Sequence, residues 1–379
     1  MPQRFARTSV LIAAGAFALS ACASESGSTT PAAAGTTSAG GATATSTAPA
    51  PASLSGTLNG GGSSAQEAAM EAWRAGFGEA NPDVTVNYDP AGSSSGREQF
   101  LSGGLGFAGS DAALEDEEIT AGKERCTGGD AIDLPLYISP VAVVYNLEGV
   151  EELNLDAEVI ADIFNQKITK WDDPAIAALN KGTSLPDLDI TPVNRSDGSG
   201  TTENFTDYLA QAAGDKWPYE ADSEFPVEGG EAANGTSGLV EAVKSGKGTI
   251  GYADLSRAGE LGVANVLVGD EPVAPTAEGA AKLVDLGERV SGRPTGDVTV
   301  ELPRTTDDTT AYPITLVAYS IVCTTYPDAA QGALVKAFFT YVASQEGQAA
   351  ASENAGSAPI SEELRTDVVS AVSAIKTGS

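Results

Sequence analysis

Histidine is missing from all 379 residues. That removes imidazole acid–base catalysis, the Ser-His-Asp triad and the usual zinc sites together, and few hydrolase mechanisms survive the loss. Positive charge is scarce as well: 21 basic residues face 52 acidic ones, for a formal charge of −31. Such a surface repels nucleic acid and anionic lipid. It also repels an anionic ligand at long range, so an anion site in this chain has to work through short-range hydrogen bonds, with salt screening the rest. No apolar run reaches membrane-spanning length, and the one at residues 10–19 is too short. Cysteine is limited to three residues.

What is present begins with a processed leader. Arg4 and Arg7 precede residues 10–19, and Leu19-Ser20-Ala21-Cys22 follows, so residues 1–21 read as a signal peptide. Small residues before a cysteine resemble a lipobox, in which Cys22 is acylated and becomes the first residue of the mature protein, anchored by lipid to the outer face of the cytoplasmic membrane. Loss of Arg4 and Arg7 leaves 19 basic against 52 acidic residues, a net charge of −33. From 23 to 53 every residue except Glu25 is Ala, Ser, Thr, Gly or Pro, so residues 22–53 form a lipidated flexible tether with nothing to bury. Export places Cys126 and Cys323 in an oxidising compartment, where they either form the one bridge available or stay as two buried thiols.

The chain is organised around Val193-Asn194-Arg195-Ser196-Asp197-Gly198-Ser199-Gly200-Thr201-Thr202. It ends an extended run at 190–193 and opens a helix carrying Phe205, Tyr208 and Leu209 on one face. Backbone N–H groups at such an opening have no intrahelical partner, and the positive end of the helix dipole points the same way. Gly198 and Gly200 let the backbone come close, Ser199 and Thr201 add hydroxyls, Arg195 supplies a fork of donors, and Asp197 can hold that fork in place. The same device is read three more times. A strand at 55–59 meets Gly60-Gly61-Gly62-Ser63-Ser64, with Ser64 and Glu67 expected as a capping box on a helix burying Ala69, Trp73 and Phe77. A strand at 84–88 meets Ala91-Gly92-Ser93-Ser94-Ser95-Gly96, and a strand at 105–108 meets Gly109-Ser110-Asp111. In an open α/β sheet these turns gather at the carboxyl edge, where ligands bind. Apolar runs at 138–145 and 313–323 read as doubly buried strands, and 333–342 and 362–375 as helices. The expected fold is α/β with two lobes and a ligand cleft between them: residues 54–145 plus 302–379 in the first lobe, 146–301 in the second.

The order and spacing of Gly92-Ser93-Ser94, Gly109-Ser110-Asp111-Ala112-Ala113-Leu114, residues 167–176 and Arg195-Ser196-Asp197-Gly198-Ser199-Gly200-Thr201 resemble the phosphate-binding protein of bacterial high-affinity phosphate ABC importers. That family has the type II periplasmic-binding-protein fold, and the resemblance covers nearly everything from Leu54 onward. It implies that inorganic phosphate, as the monohydrogen dianion, is captured without chemistry or cofactor. It implies further that a permease pair with its ATPase receives the phosphate from a monomeric binding protein. Ser64, Ser93, Asp111, Arg195, Ser199, Gly200 and Thr201 are the implied ligands, with Asp197 orienting Arg195 and Asp111 accepting the phosphate proton. The glycine-rich Asn59-Gly60-Gly61-Gly62 departs from the family's pattern, and with Ser63 beside Ser64 either serine can be the first donor.

Other features carry less. Residues 167–174 read as packing, and Glu115-Asp116-Glu117-Glu118 as a solvated helix start rather than a calcium site. Lys244-Ser245-Gly246-Lys247-Gly248-Thr249 lacks the Lys-Ser/Thr pair of a phosphate loop. The rival functions are the same fold binding sulfate or molybdate, an exported phosphatase or phosphotransferase, and a surface adhesin or signalling lipoprotein.

Overall fold

The computed structural model describes residues 54–378; the leader, Cys22 and the tether lie outside them. Strand β1 (Gly56–Gly62) pairs in parallel with β2 (Val84–Asp89) on one side and β3 (Phe107–Ser110) on the other. Helix α1 (Glu67–Ala80) joins β1 to β2, α2 (Ser93–Leu101) joins β2 to β3, and α3 (Asp116–Arg125) leads away from β3. Ala69, Trp73 and Phe77, four residues apart, form the buried stripe of α1 as their spacing requires.

Three local expectations change. β1 does not turn at Gly60 but runs on through Gly62, because Gly60, Gly61 and Gly62 register against Phe107, Ala108 and Gly109. Only glycine fits at the end of that run: Gly62 has φ +133°, and a Cβ there would stand 2.0 Å from the Gly109 carbonyl oxygen. β3 spans Phe107–Ser110 instead of 105–108. The Ser64–Glu67 capping box does not form. The helix starts at Glu67 with Gln66 as its N-cap, so Ser64 lies too far upstream to reach the first-turn amides, and its hydroxyl turns to Thr236 instead. The acidic run does start a helix, with Glu115 and Glu118 forming a reciprocal capping box on α3.

Strand β4 (Ala131–Tyr145) is fifteen residues long and buried throughout. Beyond it come β5 (Thr191–Arg195), helix α4 (Gly200–Ala212), β6 (Glu231–Ala233), helix α5 (Gly235–Ser245), β7 (Thr249–Asp254), β8 (Gly262–Val263) and β9 (Thr315–Cys323). The sheet order is β2-β1-β3-β9-β4-β7-β5-β6, with β8 attached to β4. β9 runs antiparallel to β4 from Cys323 opposite Ala131 to Thr315 opposite Pro140; from Val141 to Tyr145, β4 pairs with β7 instead. β4 therefore carries two ladders in succession within one sheet, the first with β9 and the second with β7. Its two prolines fall where a missing N–H is tolerated. Pro135 faces the register shift between Ala318 and Tyr319, and Pro140 is the last residue before the change of partner.

Helices Ala329–Val342, Gln345–Ala355 and Glu362–Ala374 follow β9. The middle one escapes a sequence reading because Gln-Glu-Gly-Gln-Ala-Ala-Ala-Ser-Glu-Asn-Ala offers no large apolar stripe; its buried face is Gly347, Gln348, Ala351 and Ala355. Among the described residues no helix is long and apolar enough to cross a membrane.

Cys126, at the end of α3, and Cys323, the last residue of β9, are joined by a disulfide, so the two are not free thiols. The bridge spans 197 residues of sequence. Long closed loops give the largest loss of unfolded-chain entropy, and replacing both cysteines by alanine is expected to cost ~2–5 kcal/mol. A urea titration of exported protein reads this as a lower midpoint; an unchanged midpoint would show that the bridge contributes nothing.

Candidate anion-binding site

The turns after the parallel strands converge. β5 ends at Arg195 and α4 opens at Gly200, with Ser199 as its N-cap. The Ser199 hydroxyl accepts the Thr202 N–H at 3.2 Å and keeps its own proton for donation, so a capping role and a ligand role coexist. Ser199 N–H goes to the Ser223 carbonyl at 3.0 Å and Glu203 N–H to the Ser199 carbonyl at 3.0 Å. The amides of Gly200 and Thr201 remain at the positive end of the helix, where no intrahelical acceptor exists. A Cβ on Gly200 would lie 2.7 Å from Asp111 Cβ and 2.8 Å from Ser93 Oγ, which measures how tightly three of the turns meet.

Arg195 is buried, 4% exposed, and gives Nε to Asp197 Oδ1 at 2.8 Å and Nη2 to Asp197 Oδ2. Asp197 Oδ1 also accepts the Gly235 N–H at 2.9 Å. Burial favours a proton on Asp197, but the hydrogen bonds and charge of Arg195, with the Gly235 amide, outweigh it and hold the carboxyl below its usual range. Arg195 is thereby clamped on two of its three nitrogens, which leaves Nη1 for a ligand.

Asp111 follows β3 and is almost fully buried. Its Oδ1 accepts the Ser63 hydroxyl and its Oδ2 accepts Thr201 Oγ1 at 3.0 Å. Its N–H donates to Ser93 Oγ at 3.2 Å, and its carbonyl accepts Asn204 Nδ2 at 2.8 Å. Ser93, accepting from that amide, retains its hydroxyl proton for a ligand. Burial pushes the Asp111 carboxyl up, opposed by Ser63, Thr201, Arg195 and Arg97, and the net direction remains upward.

Of the residues singled out from sequence, Ser93, Asp111, Gly200 and Thr201 are in direct contact, with Ser199 capping the same helix and Arg195–Asp197 beside them. Ser64 points to the opening of α5: its Oγ accepts the Thr236 N–H at 3.0 Å and lies 2.9 Å from Thr236 Oγ1. The two adjacent serines thus divide their work, Ser63 toward Asp111 and Ser64 toward Thr236. Ser63 was one of the two serines the sequence left open; Asn204 and Thr236 are the residues it did not single out. Thr236 had a signal, since Ala233-Asn234-Gly235-Thr236 is one more strand–Gly–helix turn. Further bonds run from Ser94 N–H to the Gly198 carbonyl at 3.3 Å, from Ser94 Oγ to Ser223 Oγ at 3.3 Å, and from Arg257 to Glu67 at the start of α1.

Glu203, in the first turn of α4, is pushed up to about 7 by burial; Glu115, Asp222 and Glu118 add to the effect and Arg97 opposes it. A carboxyl raised in the folded state contributes stability that is complete below its unfolded value near 4.3 and is lost as pH rises through about 7. Glu203→Gln is therefore expected to stabilise the protein by on the order of 2 kcal/mol more at pH 8 than at pH 5. Thermal midpoints at the two pH values test this; equal shifts would mean that burial of the charge is not the cause.

The PBP superfamily domain matches residues 45–346. Phosphate-binding protein PstS 3 of Mycobacterium tuberculosis (strain ATCC 25618 / H37Rv) is 38% identical over 387 aligned residues, covering 98% of this chain and 99% of the relative. Phosphate-binding protein PstS of Xylella fastidiosa (strain 9a5c) is 31% identical over 304 residues, covering 78% and 79%. Among solved structures, a high-affinity periplasmic phosphate-binding protein (PfluDING) bound with phosphate superposes with a TM-score of 0.70 at 24% identity, covering 83% of this chain and 93% of the other, and shares its fold.

Proposed function

We propose, since this chain belongs to the PBP superfamily and to its PstS-type phosphate-binding proteins, that it captures inorganic phosphate between its two lobes and delivers it to an ABC-type importer. The observation that carries the reading is Asp111. A carboxylate placed at a helix N-terminus, among hydroxyl donors and near a buried arginine, makes sense for an anion that brings its own proton. Monohydrogen phosphate does so.

In this reading residues 54–145 and 302–379 form the first lobe and 146–301 the second, each contributing ligands. Ser64, Ser93 and Asp111 come from the first; Arg195, Ser199, Gly200 and Thr201 come from the second, with Asp197 orienting Arg195. Phosphate bonded to both lobes favours closure through its differential contacts, and closure then reports occupancy. The protein is a carrier without catalysis. Neutral donors with a single arginine are suited to holding a dianion, not to transferring its phosphoryl group. It works as a monomer outside the cytoplasmic membrane, held there by acylated Cys22, and hands phosphate to a permease pair driven by its ATPase. Calorimetry of the exported protein with phosphate tests the proposal. One site per chain is expected, and no binding heat at any temperature would overturn it.

A further inference from the structure

Ser63 follows β1 and is 1% exposed. Its backbone is fixed from two sides, N–H to the Gly109 carbonyl at 2.8 Å and carbonyl from the Tyr88 hydroxyl at 2.8 Å. Its Oγ accepts the Ala65 N–H at 3.1 Å. A hydroxyl has one proton, and that of Ser63 is given to Asp111 Oδ1. Thr201 serves the other carboxylate oxygen, but from α4 in the second lobe. Ser63 and Asp111 instead follow two strands bonded to each other, with Gly62 opposite Gly109. Their contact does not depend on closure, whereas that of Thr201 does.

This deepens the phosphate reading and rests on it. We propose that Ser63 is a positioning residue that keeps Asp111 ionised in the open protein, and so selects the protonation state of phosphate that the site accepts. An ionised Asp111 has lone pairs left after Ser63 and Thr201 and demands a proton from the ligand. A protonated Asp111 would itself donate and lose that demand. Burial drives Asp111 toward the protonated form, and Ser63 is the foremost of the groups opposing it. The other titratable or charged groups facing Asp111 are Arg195 at the end of β5, Arg97 on α2 and Tyr88 on β2. Glu203 and Asp207 on α4, Glu301 and Arg304 line the adjoining cavity.

The test is the phosphate affinity of wild type and Ser63→Ala from pH 5 to pH 9, with the carboxyl 13C signal of Asp111 titrated in both without phosphate. In Ser63→Ala the acid-side loss of affinity is expected to move up by roughly one pH unit, with affinity at pH 8.5 within about threefold of wild type. The Asp111 carbon should titrate later by the same amount. Ser63→Thr, which keeps the hydroxyl, should restore the wild-type profile. If the alanine variant does not fold, Ser63→Cys keeps the size and weakens the donor, and a smaller upward move is expected. Identical pH profiles and carbon titrations in a phosphate-binding Ser63 variant would overturn the inference. A wild type that binds no phosphate would overturn the functional reading instead, and the ligand-free carbon titration would still decide the role of Ser63.

Discussion

Arg195→Ala is expected to weaken phosphate binding by about two to four decades, more than any single serine substitution in the site. Arg195 is the cation held at the end of β5, and both Asp197 oxygens keep it there. Removing the guanidinium leaves a bound dianion without its countercharge and strands Asp197 with only the Gly235 amide. Breaking a buried charge pair from one side costs ~3–5 kcal/mol, and each ~1.4 kcal/mol is a decade. A serine contributes one neutral hydrogen bond, ordinarily worth ~0.5–1.5 kcal/mol. Arg195→Lys should recover only part of the loss, because a point charge cannot bond Asp197 through two parallel N–H groups and still face the ligand. Calorimetric titration separates these cases, and a near-normal isotherm for the alanine variant would put the anion elsewhere.

The second large effect is selectivity. Wild-type protein should bind phosphate and reject sulfate by ~10⁴–10⁵-fold, the discrimination expected where a site is built around a hydrogen bond that the analogue cannot make. Sulfate near neutral pH carries no proton, so it would set its oxygens against an Asp111 that already accepts from Ser63 and Thr201 and lies almost fully buried. Asp111→Asn removes the repulsion and supplies a donor; the gap between the two anions should narrow, with sulfate gaining and phosphate losing. Titration of both proteins with both anions reads this directly. Equal binding of sulfate and phosphate by wild type would reduce Asp111 to a structural acceptor for Thr201 and Asn204.

How much of this could be read beforehand depends on whether the cause is local. The strand-turn-helix units at Ser93, Asp111 and Arg195 were legible because glycine, cap chemistry and apolar period are written in consecutive residues. So was the pairing of Arg195 with Asp197, two positions apart. The glycine run at 60–62 misled, because glycine marks either a turn or a close strand approach, and only Phe107 to Gly109 on the neighbouring strand decide which. Ser63 and Ser64 could not be told apart for the same reason: their partners, Asp111 and Thr236, lie 48 and 172 residues away. The helix Gln345–Ala355 stayed hidden because its buried face, Gly347, Gln348, Ala351 and Ala355, carries no large apolar side chain.

β4 is the common member of two ladders. At about 3.3 Å per residue its fifteen residues run for roughly 50 Å, and its ladder passes from Thr315 opposite Pro140 to Asp254 opposite Val141 with no slack residue between. Bending between the two ladders therefore flexes a continuous ribbon, held on one edge by β9 and on the other by β7. The twist of the sheet sets the angle between the two ladders. A change at Pro140 or Val141 is therefore felt by both ladders at once.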